Sequence, residues 1–401
     1  MIQGDLDRAR SLASDAGLDA LLAVTAPNVG HLTGFGPANQ NTTGVFWALL
    51  PVDPALPTVL TVGEFDLVWA RQRAKVDEVR ATQLWIEIDD LADLEAGRLQ
   101  EIEKPVQFDP AEVVAGLREV LDARGLGSAR IGFDQRKAPW SLVRTLGEGL
   151  DGVELVGADD VFAASTRLKT PAEIDALRRA TALTEVGLRA ALIDNDPRGR
   201  TVSQLRAQFQ QAVLAEVQDD PECAGYEQSR VYISAGGDIG PNLTRHAHVV
   251  ADGDVIWIDA GCQVDGYAAD IGRTFTVGPA SPTVRRIADA LEAGSAAGFE
   301  LLRPGVAMAD VYTATQQGVR AGGLPTYTRG HFGHGIGIGI GERGPYISGD
   351  SVDVLTPGMT LAFERPYYVR GLGGFQFEEN FVVTEDGNDM FTALPRNLTE
   401  L

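Results

Sequence analysis

Two aspartates in the second half of the chain are spaced so that they meet across a β-hairpin. Asp259 ends an apolar segment, Asp270 follows it eleven residues later, and the turn-forming pair Asp265-Gly266 lies between them. We expect the aspartates to be directly opposite cross-strand neighbours on one face of the ribbon. Like charges so placed are destabilising, and a divalent cation compensates them best. The alternative is that both side chains point into solvent, which the apolar residues before Asp259 disfavour.

Two glutamates near the C-terminus show the same arrangement. Glu364 ends one predicted strand, Glu378 begins another, and the glycine-rich residues 371–374 form the turn between them. The position midway between the two glutamates is 371, at the turn. We therefore expect Glu364 and Glu378 to meet across a second ribbon, and the two ribbons together predict a site with four carboxylates.

A histidine between the two carboxylate pairs completes a set of metal donors. His334 lies in the segment 333–341, where glycine occupies every second position, and glycine lets another group approach the backbone closely. One imidazole among four carboxylates suits Mn, Co, Fe or Zn better than a purely oxygen-liganded Ca²⁺ site. The residue types therefore predict a transition-metal site in the C-terminal half.

The other histidines are candidates for contacts with a substrate or for structural roles. His246 and His248 alternate as neighbours on a strand do, so only one of them can face the site, and we favour His246. His331 lies three residues before His334 and is a candidate for contact with the site. His31 stands alone near the N-terminus, and we interpret it as structural.

The composition is that of a soluble globular chain. The chain has 401 residues, 34 Lys and Arg against 56 Asp and Glu, and a formal net charge of −22. This charge argues against nucleic acid or an anionic membrane surface as the partner, since both attract clustered basic residues. Two cysteines exclude a disulfide framework, no segment is apolar enough to span a membrane, and the start carries no secretory signal. We expect a cytoplasmic protein.

The order of predicted elements favours an α/β domain followed by a second, glycine-rich domain. Strands and helices alternate in the first part of the chain, and residues 28–36 are typical of turns. Thr170, Pro171 and Glu173 are typical of a helix start, with Thr170 as the N-cap. The boundary lies just before this start, which predicts domains 1–163 and 164–401.

These motifs together resemble the pita-bread metalloenzymes, the family of methionine aminopeptidases, proline aminopeptidases, prolidases and creatinases. The resemblance is carried by Asp259-x-Gly261, Asp270-x2-Arg273-Thr274, Gly333-His334-Gly335, Pro357-Gly358 before Glu364, and Glu378. Residues 19–35 resemble the N-terminal domain of the prolidase–creatinase branch, and residues 167–174 resemble the link into the catalytic domain. The resemblance implies an α/β (α+β) protein with an N-terminal creatinase-like domain and a C-terminal pita-bread catalytic domain.

The resemblance also implies a binuclear centre with two divalent metal ions, Mn first and Co, Fe or Zn as alternatives. A hydroxide bridging the ions would attack an amide carbonyl, and Glu364 would pass the proton to the leaving nitrogen. His246 corresponds to the family's catalytic histidine, which contacts the scissile amide of the substrate. A homodimer is common in this branch. The implied metal ligands are Asp259, Asp270, His334, Glu364 and Glu378.

Two positions depart from the pattern of the proline-specific members. Those members usually carry a second histidine seven residues after the central one and an arginine two residues before the final glutamate. This chain has Gly341 and Gln376 there. Both positions serve the substrate in the family, so Gln376 is a candidate substrate contact of altered type. Arg343 and Arg365 are candidates for the missing positive charge, because they lie near these positions in the sequence.

Three functions stay open at the level of the sequence. The leading one is a metal-dependent hydrolase that cleaves an amide C–N bond, most simply an Xaa-Pro dipeptidase or aminopeptidase acting on small peptides. The second keeps the fold but acts on an amide-containing metabolite, by hydrolysis or as a lyase. The third is a binding scaffold without catalysis, which the presence of all five ligand positions disfavours.

Overall fold

The structure is a computed structural model that describes residues 1–36, 46–82, 90–98, 110–237, 247–339 and 343–401. It divides into two compact units, Met1–Thr166 and Arg167–Leu401. The predicted division after residue 163 falls inside a helix, Asp159–Arg167. Asp159 and Asp160 lie in the first turn of this helix, where acidic side chains interact favourably with the helix dipole.

The first unit contains a mixed six-stranded sheet with the order β4-β3-β2-β1-β5-β6. Its helices are α1 (Leu6–Asp15), α2 (Ala26–Thr33), α3 (Leu67–Arg73), α4 (Leu91–Glu95), α5 (Pro110–Ala123), α6 (Trp140–Gly149) and α7 (Asp159–Arg167), with a 3₁₀ turn at Glu64–Asp66. Its strands are β1 (Ala20–Ala23), β2 (Trp47–Pro51), β3 (Val59–Gly63), β4 (Glu78–Thr82), β5 (Arg130–Phe133) and β6 (Glu154–Gly157). Alternate residues of β1 enter two different apolar clusters, so both faces of this sheet are buried.

The prediction of turns over residues 28–36 is wrong, because α2 occupies most of this segment. Pro27 lies in the first turn of α2, where its missing N–H costs no helical hydrogen bond. Gly34 ends the helix with a φ of 68°, a conformation that glycine adopts without strain. The buried carboxylate of Asp134 accepts hydrogen bonds from the backbone N of Val24 and from Nδ2 of Asn28, which anchors the start of the helix.

The second unit contains four long helices and the larger sheet. Its helices are α8 (Pro171–Leu188), α9 (Val202–Asp219), α10 (Pro282–Phe299) and α11 (Met308–Ala321), with a π-helical turn at Arg189–Ile193 and a 3₁₀ turn at Pro221–Cys223. Its strands are β7 (Tyr226–Ala235), β8 (Val255–Val264), β9 (Tyr267–Ala268), β10 (Ile271–Thr276), β11 (His331–Gly335), β12 (Arg343–Ser348), β13 (Thr360–Glu364), β14 (Tyr367–Val369), β15 (Gly373–Phe375), β16 (Glu378–Val383), β17 (Asn388–Met390) and β18 (Thr399–Glu400).

The larger sheet runs β12-β11-β13-β16-β10-β8-β7, and β14 with β15 forms a separate ribbon. One face of this sheet packs on helices and the other carries polar groups. Ile258 of β8 belongs to the apolar cluster formed with α8 and α9, and Phe363 of β13 belongs to the cluster formed with α10 and α11. Because side chains alternate along a strand, the next residues, Asp259 and Glu364, lie on the opposite face. This alternation brings the carboxylates of separate strands to one surface.

The predicted start of α8 is confirmed. Thr170 accepts a hydrogen bond from the backbone N of Glu173, and Glu173 accepts one from the backbone N of Thr170. The other carboxylate oxygen of Glu173 accepts a hydrogen bond from the hydroxyl of Tyr267. Since Tyr267 directly follows the turn between β8 and β9, the helix start holds that hairpin in place.

Across the described ranges, no helix combines the length and the apolar character needed to cross a membrane.

Candidate metal centre

The predicted metal ligands come from adjacent strands of the larger sheet. Glu364 of β13 pairs directly with Glu378 of β16, Glu378 pairs with Gly272 of β10, and Gly272 pairs with Asp259 of β8. These residues form one row across the sheet, on the face away from the helices. The prediction that Glu364 and Glu378 meet across a ribbon is confirmed. The turn lies at residues 370–372, because Gly373 and Gly374 of the predicted turn pair with β14 as part of β15.

Asp259 and Asp270 belong to one hairpin, as predicted, but they are not directly opposite. Asp265 and Gly266 form the two-residue turn with φ values of 51° and 89°. The hairpin is therefore centred between residues 265 and 266. Asp259 and Asp270 would be directly opposite only if the centre lay one residue earlier. Asp259 pairs with Gly272, and Asp270 lies two residues before that position. Because an offset of two residues keeps the side of a strand, the two carboxylates are diagonal neighbours on the same face.

Asn380 fixes the backbone at Asp270, which lies just outside β10. The backbone N of Asp270 donates to Oδ1 of Asn380 at 2.8 Å, and Nδ2 of Asn380 donates back to the backbone O of Asp270. Both residues are buried. This reciprocal pair holds Asp270 beside Glu378 without a regular strand hydrogen-bond ladder.

Three donor residues converge at the centre of the site. Donor atoms of Asp270, His334 and Glu378 lie within 4.8 Å of one another, and all three residues are buried. Nε2 of His334 is 3.6 Å from Oε1 of Glu378 and 4.0 Å from Oδ2 of Asp270. Nδ1 of His334 lies 3.2 Å from the carbonyl oxygen of Gly335, which can accept its proton. In that tautomer Nε2 presents a lone pair to the cluster.

The glycines around His334 permit the close packing that the sequence predicted. A Cβ at Gly333 would lie 2.3 Å from the carbonyl oxygen of Ala362 on the neighbouring strand. A Cβ at Gly337 would lie 3.1 Å from the side chain of Lys169. Gly341, the last glycine of the pattern, lies outside the described residues.

Gln376 connects the two glutamates. Its Nε2 donates to Oε2 of Glu364 at 3.1 Å and to Oε2 of Glu378 at 2.9 Å. The side chain lies over Gly272, where a Cβ would be 2.1 Å from Cγ of Gln376. Backbone N and O of Gln376 are both hydrogen-bonded to the hydroxyl of Thr274. Gln376 is therefore held rigidly in the row of carboxylates.

Two arginines that the sequence did not single out contact the carboxylates. Nη2 of Arg230 on β7 lies 3.0 Å from Oδ1 of Asp259 and also contacts Oδ1 of Asp270. Nη2 of Arg329 donates to Oε1 of Glu364 at 2.9 Å. Arg230 precedes the catalytic motifs by about 30 residues, and only the register of β7 against β8 shows where it lies.

Crowding of buried carboxylates raises the pKa of three of them. Burial and the negative charge of Asp270 raise the pKa of Asp259 to about 8. Burial and the charge of Glu378 raise the pKa of Asp270 to about 7, and burial with the charge of Glu364 raises the pKa of Glu378 to about 7. Additional positive charge is needed to hold all three ionised at neutral pH, and a divalent cation supplies it.

Glu364 and His334 differ from these three carboxyl groups, because their surroundings favour the charged form of each side chain. Burial favours neutral Glu364, but Arg329 and His334 outweigh it and lower the pKa of Glu364 below its usual range. Burial opposes protonation of His334, but the adjacent Glu378 outweighs it and raises the pKa of His334 to about 9. At neutral pH the imidazole of His334 therefore carries a proton, and a metal ion that bound there would take the place of this proton.

The predicted substrate contacts have different outcomes. Nδ1 of His331 is 3.4 Å from Oε1 of Glu364, which places His331 beside the site. His248 contacts Asp254, with Nε2 2.7 Å from Oδ2. The favoured alternative, His246, and the side chain of Arg343 lie outside the described part of the chain.

Arg365, a predicted substrate contact, lies among apolar side chains and not in the row of carboxylates. The residue is fully buried, with Cζ 4.6 Å from the ring centre of Phe363 and 5.4 Å from that of Phe299. Its Nη1 donates to the carbonyl oxygen of Phe363. Because Glu364 faces the site, the next residue turns toward the helices. Burial there lowers the pKa of Arg365 to about 10.

The residues fit a centre for divalent metal ions. Five candidate donors lie on one face of one sheet, and three of them already meet within the span of a single ion's ligands. Four carboxylates balance the charge of two divalent ions, and the one imidazole has its second nitrogen directed at a carbonyl. This donor set lies on the face of the sheet opposite the helices.

Both units match known families. Residues 175–385 match the model of metallopeptidase family M24, and residues 6–165 match the creatinase/prolidase N-terminal domain. The chain therefore belongs to metallopeptidase family M24, with the mixed α/β, pita-bread fold that the sequence predicted. Membership of the family implies divalent metal ions.

Named relatives and solved structures show the same likeness. The probable dipeptidase PepE of Mycobacterium tuberculosis is 31% identical over 250 residues, which cover 62% of this chain and 64% of that protein. The chain thus matches less than two thirds of that relative's length. The Xaa-Pro dipeptidase of Pyrococcus furiosus is 25% identical over 65% of this chain and 72% of its own. The crystal structure of dipeptidase PepE from Mycobacterium ulcerans matches with a TM-score of 0.75 at 26% identity, covering 98% of this chain and 96% of that one.

Proposed function

We propose that the protein is a metal-dependent hydrolase that cleaves an amide C–N bond in a small substrate, most simply an Xaa-Pro peptide. The observation that carries this proposal is the convergence of Asp270, His334 and Glu378 within 4.8 Å, with Asp259 and Glu364 in the row beside them. Membership of metallopeptidase family M24 and the dipeptidase names of two relatives support the same chemistry.

The residues that would hold the two divalent ions are the five donors Asp259, Asp270, His334, Glu364 and Glu378. The chemistry supplied by bound divalent ions is Lewis-acid polarisation of an amide carbonyl and a lowered pKa for water. The donor set favours Mn, Co, Fe or Zn, and Mn is the first ion to test. Burial of Asp270, His334 and Glu378 excludes bulk water from the ion side of the site.

Glu364 is the proposed base. Its Oε1 lies between Nη2 of Arg329 and Nδ1 of His331, and its Oε2 accepts from Nε2 of Gln376. These contacts keep the carboxylate ionised and oriented in a buried position. An ionised carboxylate there can take a proton from the attacking water and deliver it to the leaving nitrogen. The role of His246 as a substrate-side catalytic group stays a prediction.

A panel of Xaa-Pro dipeptides and longer Xaa-Pro peptides tests this function. Protein stripped with a chelator and reloaded with Mn²⁺ or Co²⁺ should release the residue before proline, and Glu364→Gln should abolish the release. Matched peptides with alanine in place of proline measure the specificity. If no peptide is hydrolysed by the metal-loaded protein, the peptidase assignment is wrong.

Gln376 favours a second candidate, action on an amide-containing metabolite. Both donated hydrogen bonds of its amide go to carboxylates, and the side chain carries no charge where proline-specific relatives usually have arginine. N-acetyl amino acids and other small amides form the corresponding panel. Incorporation of ¹⁸O from labelled water into the product separates hydrolysis from elimination.

The choice of Mn, the homodimer and the cytoplasmic location stay predictions. Metal analysis of protein purified without added ions tests the choice of Mn. Size-exclusion chromatography with light scattering tests the homodimer.

A further inference from the structure

Arg230 contacts two of the proposed metal ligands at once. Its Nη2 lies 3.0 Å from Oδ1 of Asp259 and also contacts Oδ1 of Asp270. The Arg230 side chain is 20% exposed and the two carboxylates 17% and 10%, so little water screens these ion pairs. Arg230 thus places a positive charge beside the same two carboxylates that a metal ion shared by Asp259 and Asp270 would contact, while Oδ2 of Asp270 faces His334.

The register of the sheet directs Arg230 to this position. Arg230 pairs with Gly261 on β8, where a Cβ would lie 1.8 Å from the carbonyl oxygen of Ala269, the residue before Asp270. Two residues along the strand, Tyr232 pairs with Asp259, and Cζ of Arg230 lies 5.3 Å from the centre of the Tyr232 ring. The aromatic face supports the guanidinium from one side, while the carboxylates attract it from the other.

We propose that Arg230 is an internal counter-ion that competes with metal for Asp259 and Asp270, and that metal loading displaces its guanidinium. The inference rests on the proposed metal centre. A guanidinium and a divalent ion beside the same two largely buried carboxylates repel each other, so each weakens the binding of the other. The apparent affinity for metal is therefore lowered by the fraction of molecules in which Arg230 occupies the two aspartates.

This competition has consequences of opposite sign. Without Arg230, the aspartates are more available to a metal ion, so metal binds more tightly. The same change leaves two buried like charges without their partner, so the protein without metal is less stable. A residue that only supported the fold would give a different result, since its loss would weaken both stability and metal binding.

Calorimetric titration with MnCl₂ tests the proposal on chelator-treated, full-length protein. Arg230→Met keeps the length of the side chain and removes its charge, and it should bind Mn²⁺ at least about tenfold more tightly than the unaltered protein. Its melting temperature in EDTA should fall. The matched control is Arg178→Met, which removes a half-buried arginine that pairs with Asp389 and lies over the ring of Phe391, away from the site, and it should leave the affinity for Mn²⁺ unchanged.

Arg230→Lys keeps the proposal testable if the methionine variant does not fold. Lysine keeps the positive charge, but its side chain is shorter than that of arginine and its ammonium group cannot contact both aspartates as a planar guanidinium does. Mn²⁺ should therefore bind about two- to fivefold more tightly than to the unaltered protein. Unchanged or weaker Mn²⁺ binding in the folded variants overturns the proposal, and so does the absence of binding in every protein. Tighter binding without hydrolysis of any peptide supports the role of Arg230 and rejects only the peptidase function.

Discussion

Glu364 and Glu378 lie directly opposite each other on two antiparallel strands, and both are buried. Like charges in such a pair destabilise a sheet unless cations or proton donors lie between or beside them. Nε2 of Gln376 bridges their Oε2 atoms, Arg329 approaches the first glutamate, and His334 approaches the second. The facing charges lower the stability of the fold, but the same arrangement can bind cations. Such a local cost in stability is typical of a functional site.

The substitution Glu378→Gln separates these two effects. We expect the metal-free protein to become more stable by up to about 1 kcal/mol, because one of two facing charges is removed. The affinity for Mn²⁺ and the rate of peptide hydrolysis should both fall by at least about 100-fold. Mutation of a residue that only hydrogen-bonds to a metal ligand already lowers metal affinity or activity by roughly 10- to 100-fold, and Glu378 is a proposed ligand itself. Thermal melting in EDTA, calorimetric titration and turnover measure the three quantities.

Glu119→Gln is the control for removal of a carboxylate, because Glu119 lies on the surface of the first unit beside Arg80. It should leave all three quantities unchanged. Retention of full Mn²⁺ affinity by Glu378→Gln would show that Glu378 is not a ligand.

Replacement of Gln376 by leucine tests whether the bridging amide orients the glutamates. The change keeps a similar volume but removes both hydrogen bonds, so Glu364 and Glu378 can rotate away from each other. We expect kcat/KM to fall by about 10- to 100-fold, with the loss in kcat if Gln376 acts only through the glutamates. A loss confined to KM would instead indicate direct contact with the substrate, as the sequence analysis suggested. Gln228→Leu, which breaks a pair with Gln263 on β7 and β8, is the control.

Gly272 lies in the row of carboxylates across the sheet, and the position of Gln376 requires that residue 272 has no side chain. A Cβ there would lie 2.1 Å from Cγ of Gln376 and 3.1 Å from Cβ of Glu378. Gly272→Ala should therefore displace Gln376, lower turnover by more than about tenfold and destabilise the protein by ~1–3 kcal/mol. Gly147→Ala in α6 is the control, because a Cβ at Gly147 meets no atom within 4 Å. Equal turnover by the two variants would contradict the packing described for Gln376.

Much of the site can be predicted from the sequence by locating the turn midway between two carboxylates. The turns at residues 265–266 and 370–372 locate both ribbons, and the pairing of Glu364 with Glu378 follows from their symmetric spacing about residue 371. The offset of Asp259 and Asp270 was missed because the two-residue turn centres the hairpin between Asp265 and Gly266, while the midpoint of the aspartates lies earlier. A hairpin's register depends on its turn type, which the spacing of two carboxylates does not reveal.

Contacts between distant strands could not be predicted in this way. Arg230 reaches the aspartates only because β7 pairs with β8 in one particular register, and Arg329 reaches Glu364 from the loop before β11. Arg365 was assigned to the substrate because of its nearness in sequence, but alternation along the strand turns it to the apolar face. Helix α2 was missed because proline and glycine are frequent in turns and also mark helix ends.

The stability of the metal-free protein should decrease as the pH rises. The pKa of Asp259 is raised to about 8 and the pKa values of Asp270 and Glu378 to about 7, well above the value near 4 of an unfolded chain. Between about pH 4 and 8 the folded state therefore binds more protons than the unfolded state, and the free energy of unfolding falls with pH. The raised pKa of His334 acts in the same direction, since its favourable charge is lost as the pH passes about 9.

Metal should reverse this trend, because the same groups must lose their protons to bind an ion. In EDTA, we expect the melting temperature to be at least about 5 °C higher at pH 5.5 than at pH 8.5. With excess Mn²⁺, the increase in melting temperature caused by the ion should grow across the same range. Glu378→Gln removes one of the titrating carboxylates, so its melting temperature in EDTA should vary less with pH. A melting temperature in EDTA that rises from pH 5.5 to 8.5 would mean that these carboxylates are stabilised as anions by the protein alone.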